Sequence, residues 1–62
     1  MTKKEALKEF RREIMPFIRY AHEQNGVIDR PRRLEAWNVF TDILCKLGEI
    51  TDHQHETWVG PF

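Results

Sequence analysis

The fold is decided by one segment of the chain, residues 29–48, which reads DRPRRLEAWNVFTDILCKLG. Asp29 is a good helix N-cap, and Pro31 follows in the first turn, where no backbone N–H is needed. Gly48 is a typical helix stop. The apolar residues between these signals span about 220° of the helix circumference, so the helix must be covered on two sides. We therefore predict a central helix over about residues 30–47.

A second apolar pattern precedes the central helix. Thr2 and Glu5 form a capping-box pattern, after which apolar residues recur at steps of three and four. These residues are Leu7, Phe10, Ile14, Phe17, Ile18 and Ala21. Pro16 removes one backbone hydrogen bond from this pattern, so it either splits the helix or bends it. The sequence favours one kinked helix over about residues 3–24, with its apolar stripe facing the core.

A third helix start follows the central segment. Thr51 and Gln54 repeat the capping-box pattern, and Gly60 with Pro61 ends the helix after about two turns. We predict a short helix over about residues 52–58 that closes over the central helix. Because no long alternating strand pattern is present, the expected fold is an all-α, three-helix unit that forms a single domain over residues 1–62.

The size of the chain limits how it can be stabilised. A domain of 62 residues buries only a modest core and usually needs disulfides, a metal, oligomerisation or a partner. The single cysteine, Cys45, cannot form an internal disulfide, which favours a reducing compartment. No apolar run approaches the roughly 18 residues of a membrane span, and the charged first residues do not precede a signal-peptide core. We expect a cytoplasmic protein without a membrane partner.

The charges are balanced overall but divided between the halves of the chain. Residues 1–33 carry nine Lys or Arg and five Asp or Glu, whereas residues 34–62 carry one Lys and five acids. Either the halves pack as complementary helices, or the basic half meets a charged partner such as nucleic acid. The candidate residues for that surface are Lys4, Lys8, Arg11, Arg12, Arg19, Arg30, Arg32 and Arg33. A pI near 6.8 lies below the basic range typical of nucleic-acid-binding domains.

The residues that could bind a metal or catalyse a reaction are sparse. His53 and His55 point about 160° apart on a helix, whereas helical metal ligands favour a spacing of four residues. We expect surface histidines, a structural thiol at Cys45 and no metal site. The chain has no serine and no glycine-rich phosphate loop. The sequence therefore predicts no catalytic residues, no cofactor and no enzymatic activity.

The excess apolar surface of the central helix favours protein binding. Trp37 and Phe40 lie at the centre of its apolar arc and are expected in the core. Four apolar residues beyond that centre are the candidate protein interface, namely Val39, Ile43, Trp58 and Phe62. We expect a small interaction module that binds a protein partner or itself, with a homodimer as one solution to the small core. The alternative is a nucleic-acid-binding accessory protein that uses the basic half.

The second half of the chain also resembles known proteins. The run LCKLGEITDHQHETWVGPF at residues 44–62, with AWN at 36–38 and Asp42 before it, is similar to small proteins of unassigned function from tailed phages and prophages. The similarity extends back through RPR at residues 30–32. The resemblance implies a phage origin, the host cytoplasm as location and a role that could be directed at the host. It identifies no functional residue.

Overall fold

The computed structural model describes residues 1–62 and contains four α-helices and no strand. They are α1 (Lys3–Glu13), α2 (Met15–His22), α3 (Arg30–Lys46) and α4 (Asp52–Thr57). The all-α prediction is confirmed, and α3 and α4 lie within a residue of their predicted bounds. No helix combines the length and the apolar character needed to cross a bilayer.

The predicted N-caps fix the starts of three helices. Thr2 and Glu5 form a reciprocal capping box, as do Thr51 and Gln54, with hydrogen bonds of 2.8 to 3.2 Å. The hydrogen bond from the Thr2 backbone holds the pKa of Glu5 below its ordinary value. The Asp29 side chain accepts a hydrogen bond from the N–H of Arg32, the third residue of α3. These local signals therefore determine where α1, α3 and α4 begin.

The segment that was predicted as one kinked helix over residues 3–24 forms two helices, α1 and α2, which meet at Ile14. Pro16 has no N–H to donate to the preceding turn, so the hydrogen-bond ladder is interrupted there. Ile14 keeps a right-handed helical backbone conformation. Its N–H donates to the Phe10 carbonyl at 2.8 Å, and its carbonyl accepts from the Ile18 N–H at 3.2 Å. The second segment ends at His22, two residues before its predicted end.

The core is small and its centre is aromatic. Eight residues are buried: Ala6, Phe10, Met15, Ile18, Trp37, Thr41, Leu44 and Ile50. The rings of Phe10 and Trp37 meet edge to face, with centroids 5.4 Å apart and planes at 89°. Phe40 packs half-buried against this pair. The prediction that Trp37 lies in the core is confirmed.

The segment after α4 covers the aromatic centre. The ring of Phe62 lies 5.2 Å from that of Phe10 and 6.2 Å from that of Trp37, measured between centroids. The Trp37 indole N–H donates to the Trp58 carbonyl at 3.4 Å. Gly60 passes so close that a Cβ atom there would lie 2.7 Å from Trp37 Cδ1. Residues 58–62 are therefore part of the folded unit.

Two members of the predicted core stripe are exposed instead. Phe17 is 67% exposed, and Ala21 is exposed as well. The expectation that they face the core was wrong because it continued one helical phase through Pro16. The break at Ile14 changes the rotation of α2, which buries Met15 and Ile18.

Candidate protein-binding groove

An apolar groove runs between α2 and α3 and has a volume of about 310 Å³. We call it the α2–α3 groove. It is lined by seven hydrophobic residues, Ile14, Phe17, Ile18, Ala36, Val39, Phe40 and Ile43, and by His22, Arg32 and Glu35. Apolar walls with a few polar groups at the edge are typical of sites that bind another molecule.

The exposed residues of the groove come from both helices. Phe17 on α2 is 67% exposed, and Val39 and Ile43 on α3 are 55% and 49% exposed. The two α3 residues are four positions apart, so they lie on one face of the helix. Contiguous exposed apolar surface of this kind marks interaction sites more often than isolated apolar residues do.

The structure separates the four residues predicted as a protein interface. Val39 and Ile43 line the α2–α3 groove, as an exposed interface requires. Trp58 and Phe62 do not line it; both are half-buried and pack against the core. Phe17 was missed as an interface candidate because its spacing fits the core stripe. Pro16, immediately before it, signals a break in the stripe but does not specify which way Phe17 then faces.

A partly buried ion pair joins the end of α2 to the start of α3. Arg33 donates to both carboxylate oxygens of Glu23, at 2.7 and 2.6 Å, and the Asp29 backbone N–H donates to the same carboxylate at 3.0 Å. The side chains of Arg33 and Glu23 are only 17% and 6% exposed. The hydrogen bond with Arg33 lowers the pKa of Glu23, and Glu23 raises the pKa of Arg33. Arg33 therefore holds the two helices together rather than presenting its charge to solvent.

The remaining predicted basic residues divide into groups. Lys4, Lys8 and Arg11 line one shallow hollow on α1 together with Lys3 and Leu7. We call this the α1 basic hollow. None of its four cations forms an ion pair. Lys3, which the prediction omitted, belongs there because it lies one turn from Leu7.

The other basic candidates lie outside the α1 basic hollow. Arg12 pairs with Glu13 at 3.0 Å, and Arg32 pairs with Glu35 at 3.6 Å, both at the surface. Arg19 and Arg30 are exposed and form no ion pair. The eight predicted residues therefore do not form one continuous surface.

The polar side chains between α3 and α4 form hydrogen bonds and ion pairs with one another. The Cys45 thiol donates to Asp52 at 3.1 Å, and this hydrogen bond raises the pKa of Cys45, which disfavours the nucleophilic thiolate. Asp42 pairs with Lys46 at 2.9 Å, which lowers the pKa of Asp42, and His55 Nε2 lies 3.8 Å from the same carboxylate. No group of three or more metal-ligand side chains occurs here or elsewhere in the structure.

Comparison with known proteins identifies no relative of this chain. No protein-family model matches the chain, and neither a curated protein nor a solved structure matches it significantly. The function is therefore inferred from the surface of the molecule itself.

Proposed function

We propose that this protein is a small, non-catalytic protein-interaction module that binds another polypeptide through the α2–α3 groove. One observation carries the proposal: Phe17, Val39 and Ile43 are 67%, 55% and 49% exposed side by side between two helices. An exposed aromatic residue beside aliphatic residues is the composition that is enriched at protein interfaces.

The polar edge of the groove supports a polypeptide ligand rather than a lipid. Arg32, Glu35 and His22 flank the apolar residues, so charges of both signs border the groove. A mixed polar rim around an apolar centre is the usual anatomy of a protein interface. The Glu23–Arg33 pair fixes the helices on either side, so the groove is formed before a ligand arrives.

Photo-crosslinking at a single position tests this proposal. A photoreactive amino acid replaces Val39 in the groove, and the matched control replaces Val59, which is 72% exposed and does not line the groove. The samples are the purified protein and a bacterial lysate that contains it. We expect a discrete adduct of defined mass from position 39 and none from position 59. Phe17→Asp should abolish the adduct, with the circular dichroism spectrum unchanged.

The proposal fails if position 39 gives no polypeptide adduct beyond the level of position 59. It also fails if Phe17→Asp leaves the adduct intact, because the ligand would then bind outside the groove.

The second candidate function, nucleic-acid binding, is supported by the α1 basic hollow. Lys3, Lys4, Lys8 and Arg11 gather there without acidic partners, as a phosphate-binding surface requires. Fluorescence anisotropy with labelled DNA and RNA at low salt tests it. Lys8→Gln should weaken binding and reduce the salt dependence by about one charge, whereas Lys46→Gln, outside the hollow, should do neither. Absence of binding at low salt contradicts this function.

The phage origin and host-directed role implied by the resemblance of residues 44–62 stay predictions. Identification of the position-39 adduct by mass spectrometry tests them, because a host-directed protein would crosslink to a bacterial protein.

A further inference from the structure

We infer that the polypeptide bound at the α2–α3 groove is a second copy of this chain, with the two α3 helices paired antiparallel. This inference rests on the proposed function, because it names the partner of the same groove. It is carried by the order of charges along an exposed stripe of α3. When the stripes of two copies run antiparallel, a negative residue of each copy lies near a positive residue of the other.

One exposed stripe of α3 lies opposite the core, beside the exposed Asn38 and the half-buried Asp42. At 100° per residue, its five residues fall within about 80° of the helix circumference, and the centre of the stripe lies about 160° from Trp37. They are Arg32, Glu35, Val39, Ile43 and Lys46. The side chains of Arg32, Glu35 and Lys46 are 45%, 68% and 75% exposed, so they are available to a partner.

The order along this stripe is positive, negative, apolar, apolar, positive. When a second copy runs antiparallel, with Val39 against its Ile43, Glu35 comes to within one residue of its Lys46, about 1.5 Å along the helix axis. Two-fold symmetry repeats this pairing, so one register aligns two opposite-charge pairs around an apolar centre.

A parallel arrangement lacks this complementarity. It places Arg32 against Arg32, Glu35 against Glu35 and Lys46 against Lys46, which opposes like charges at each level. The existing pairs, Arg32 with Glu35 and Lys46 with Asp42, are surface pairs at 3.6 and 2.9 Å. Such exposed pairs are weak, so they do not prevent these side chains from contacting a second copy.

The apolar centre is extended by α2. Phe17 lies in the same groove as Val39 and Ile43, so a second helix on the stripe would also cover part of its ring. A dimer would thereby supply the apolar burial that a core of seven hydrophobic residues lacks.

Complementary charge reversal tests the antiparallel register. Glu35→Lys opposes Lys46 of the second copy with a like charge twice in each dimer, and Lys46→Glu opposes Glu35 in the same way. We expect each single variant to associate at least about tenfold more weakly than the wild type by sedimentation equilibrium. An equimolar mixture of the two should dimerise again, because both cross-copy contacts become attractive. Native mass spectrometry should find one chain of each kind.

Several results would overturn the inference. A mixture that stays monomeric excludes this register, and single variants that associate like the wild type exclude the stripe as the interface. Circular dichroism checks that each variant is folded. Should either variant fail that check, Glu35→Arg mixed with Lys46→Asp tests the same charge pair.

The crosslinking result separates this inference from the proposed function. A monomeric wild type whose position-39 adduct contains a different protein refutes self-pairing and retains the interaction module. A monomeric wild type without any adduct refutes both.

Discussion

At the residue scale, Gly60 lies in a more crowded position than the other two glycines. Gly26 and Gly48 adopt positive φ values in open turns, where a Cβ atom would meet nothing within 4 Å. At Gly60, by contrast, a Cβ atom would lie 2.7 Å from Trp37 Cδ1 and 3.1 Å from Leu34 Cδ1. The absence of a side chain at residue 60 therefore allows the last segment to approach the buried indole.

Gly60→Ala should destabilise the protein by about 1–3 kcal/mol, because the added methyl group displaces Trp37 or lifts the segment away. Val59→Ala is the control, since Val59 is exposed and should change stability by less than about 0.5 kcal/mol. Urea unfolding followed by tryptophan fluorescence measures both variants. Equal stability of Gly60→Ala and the wild type would show that residues 58–62 do not pack on Trp37 in solution.

The ion pair of Glu23 and Arg33 predicts a pH dependence. The pKa of Glu23 is lowered from 4.5 by the hydrogen bond from Arg33, so the pair stabilises the fold fully above pH 4.5. That contribution is lost as the pH falls below 4.5 and through the lower pKa of the folded state. Glu23→Gln should lower the melting temperature at pH 7, and the difference from the wild type should shrink toward pH 3.

Thermal melting by circular dichroism at pH 7, 5, 4 and 3 tests this expectation. The pKa values of Glu5 and Asp42 are lowered as well, but both proteins contain these residues. The difference between the two melting temperatures therefore reports on Glu23. A difference that stays constant over this range contradicts the role given to the ion pair.

At the scale of single elements, α4 depends most on its capping. It has six residues and buries none of them, so packing stabilises it little. The reciprocal hydrogen bonds of Thr51 and Gln54 satisfy backbone groups that a short helix cannot satisfy internally.

Thr51→Ala should cost about 1 kcal/mol and release α4 before the rest of the molecule unfolds. Thr57→Ala is the control, because the Thr57 hydroxyl only donates to the His53 carbonyl within the helix. Hydrogen exchange by mass spectrometry, compared between peptides from α4 and α3, measures the effect. Equal protection of α4 in both variants would refute the importance of the capping box.

Local signals made most of the elements predictable from the sequence. Capping residues such as Thr2, Asp29 and Thr51 act on neighbouring N–H groups, so their effect can be predicted without the fold. The exposure of Phe17 could not be predicted, because it depends on how far Pro16 rotates α2 relative to α1. The pairing of Glu23 with Arg33 could not be predicted either, because the loop between them brings together residues ten positions apart.

At the scale of the whole molecule, a few aromatic contacts hold the helices together. Phe10 contacts the rings of Trp37, Phe40 and Phe62, so it links α1, α3 and the last segment. A chain of this length has a net stability of roughly 3–9 kcal/mol. The free energy of unfolding that is lost with one central aromatic ring is of similar size.

Phe10→Ala should cost about 3–5 kcal/mol and leave little folded protein at room temperature. Phe17→Ala removes the same ring from an exposed position and should retain the native helical content. Far-ultraviolet circular dichroism of the two variants measures the contrast. Retention of the native spectrum and melting temperature by Phe10→Ala would refute the central position of this ring.

The small core also links the lifetime of the protein to its abundance. With eight buried residues, the unfolded population is sensitive to any change that favours the native state. In the dimer that we infer, binding of a second copy at α3 would become more complete as the chain accumulates, so the folded fraction would rise with concentration. Proteases degrade the unfolded chain. Scarce molecules would then be degraded quickly and abundant ones slowly, which would give the cell a threshold expression level for this protein.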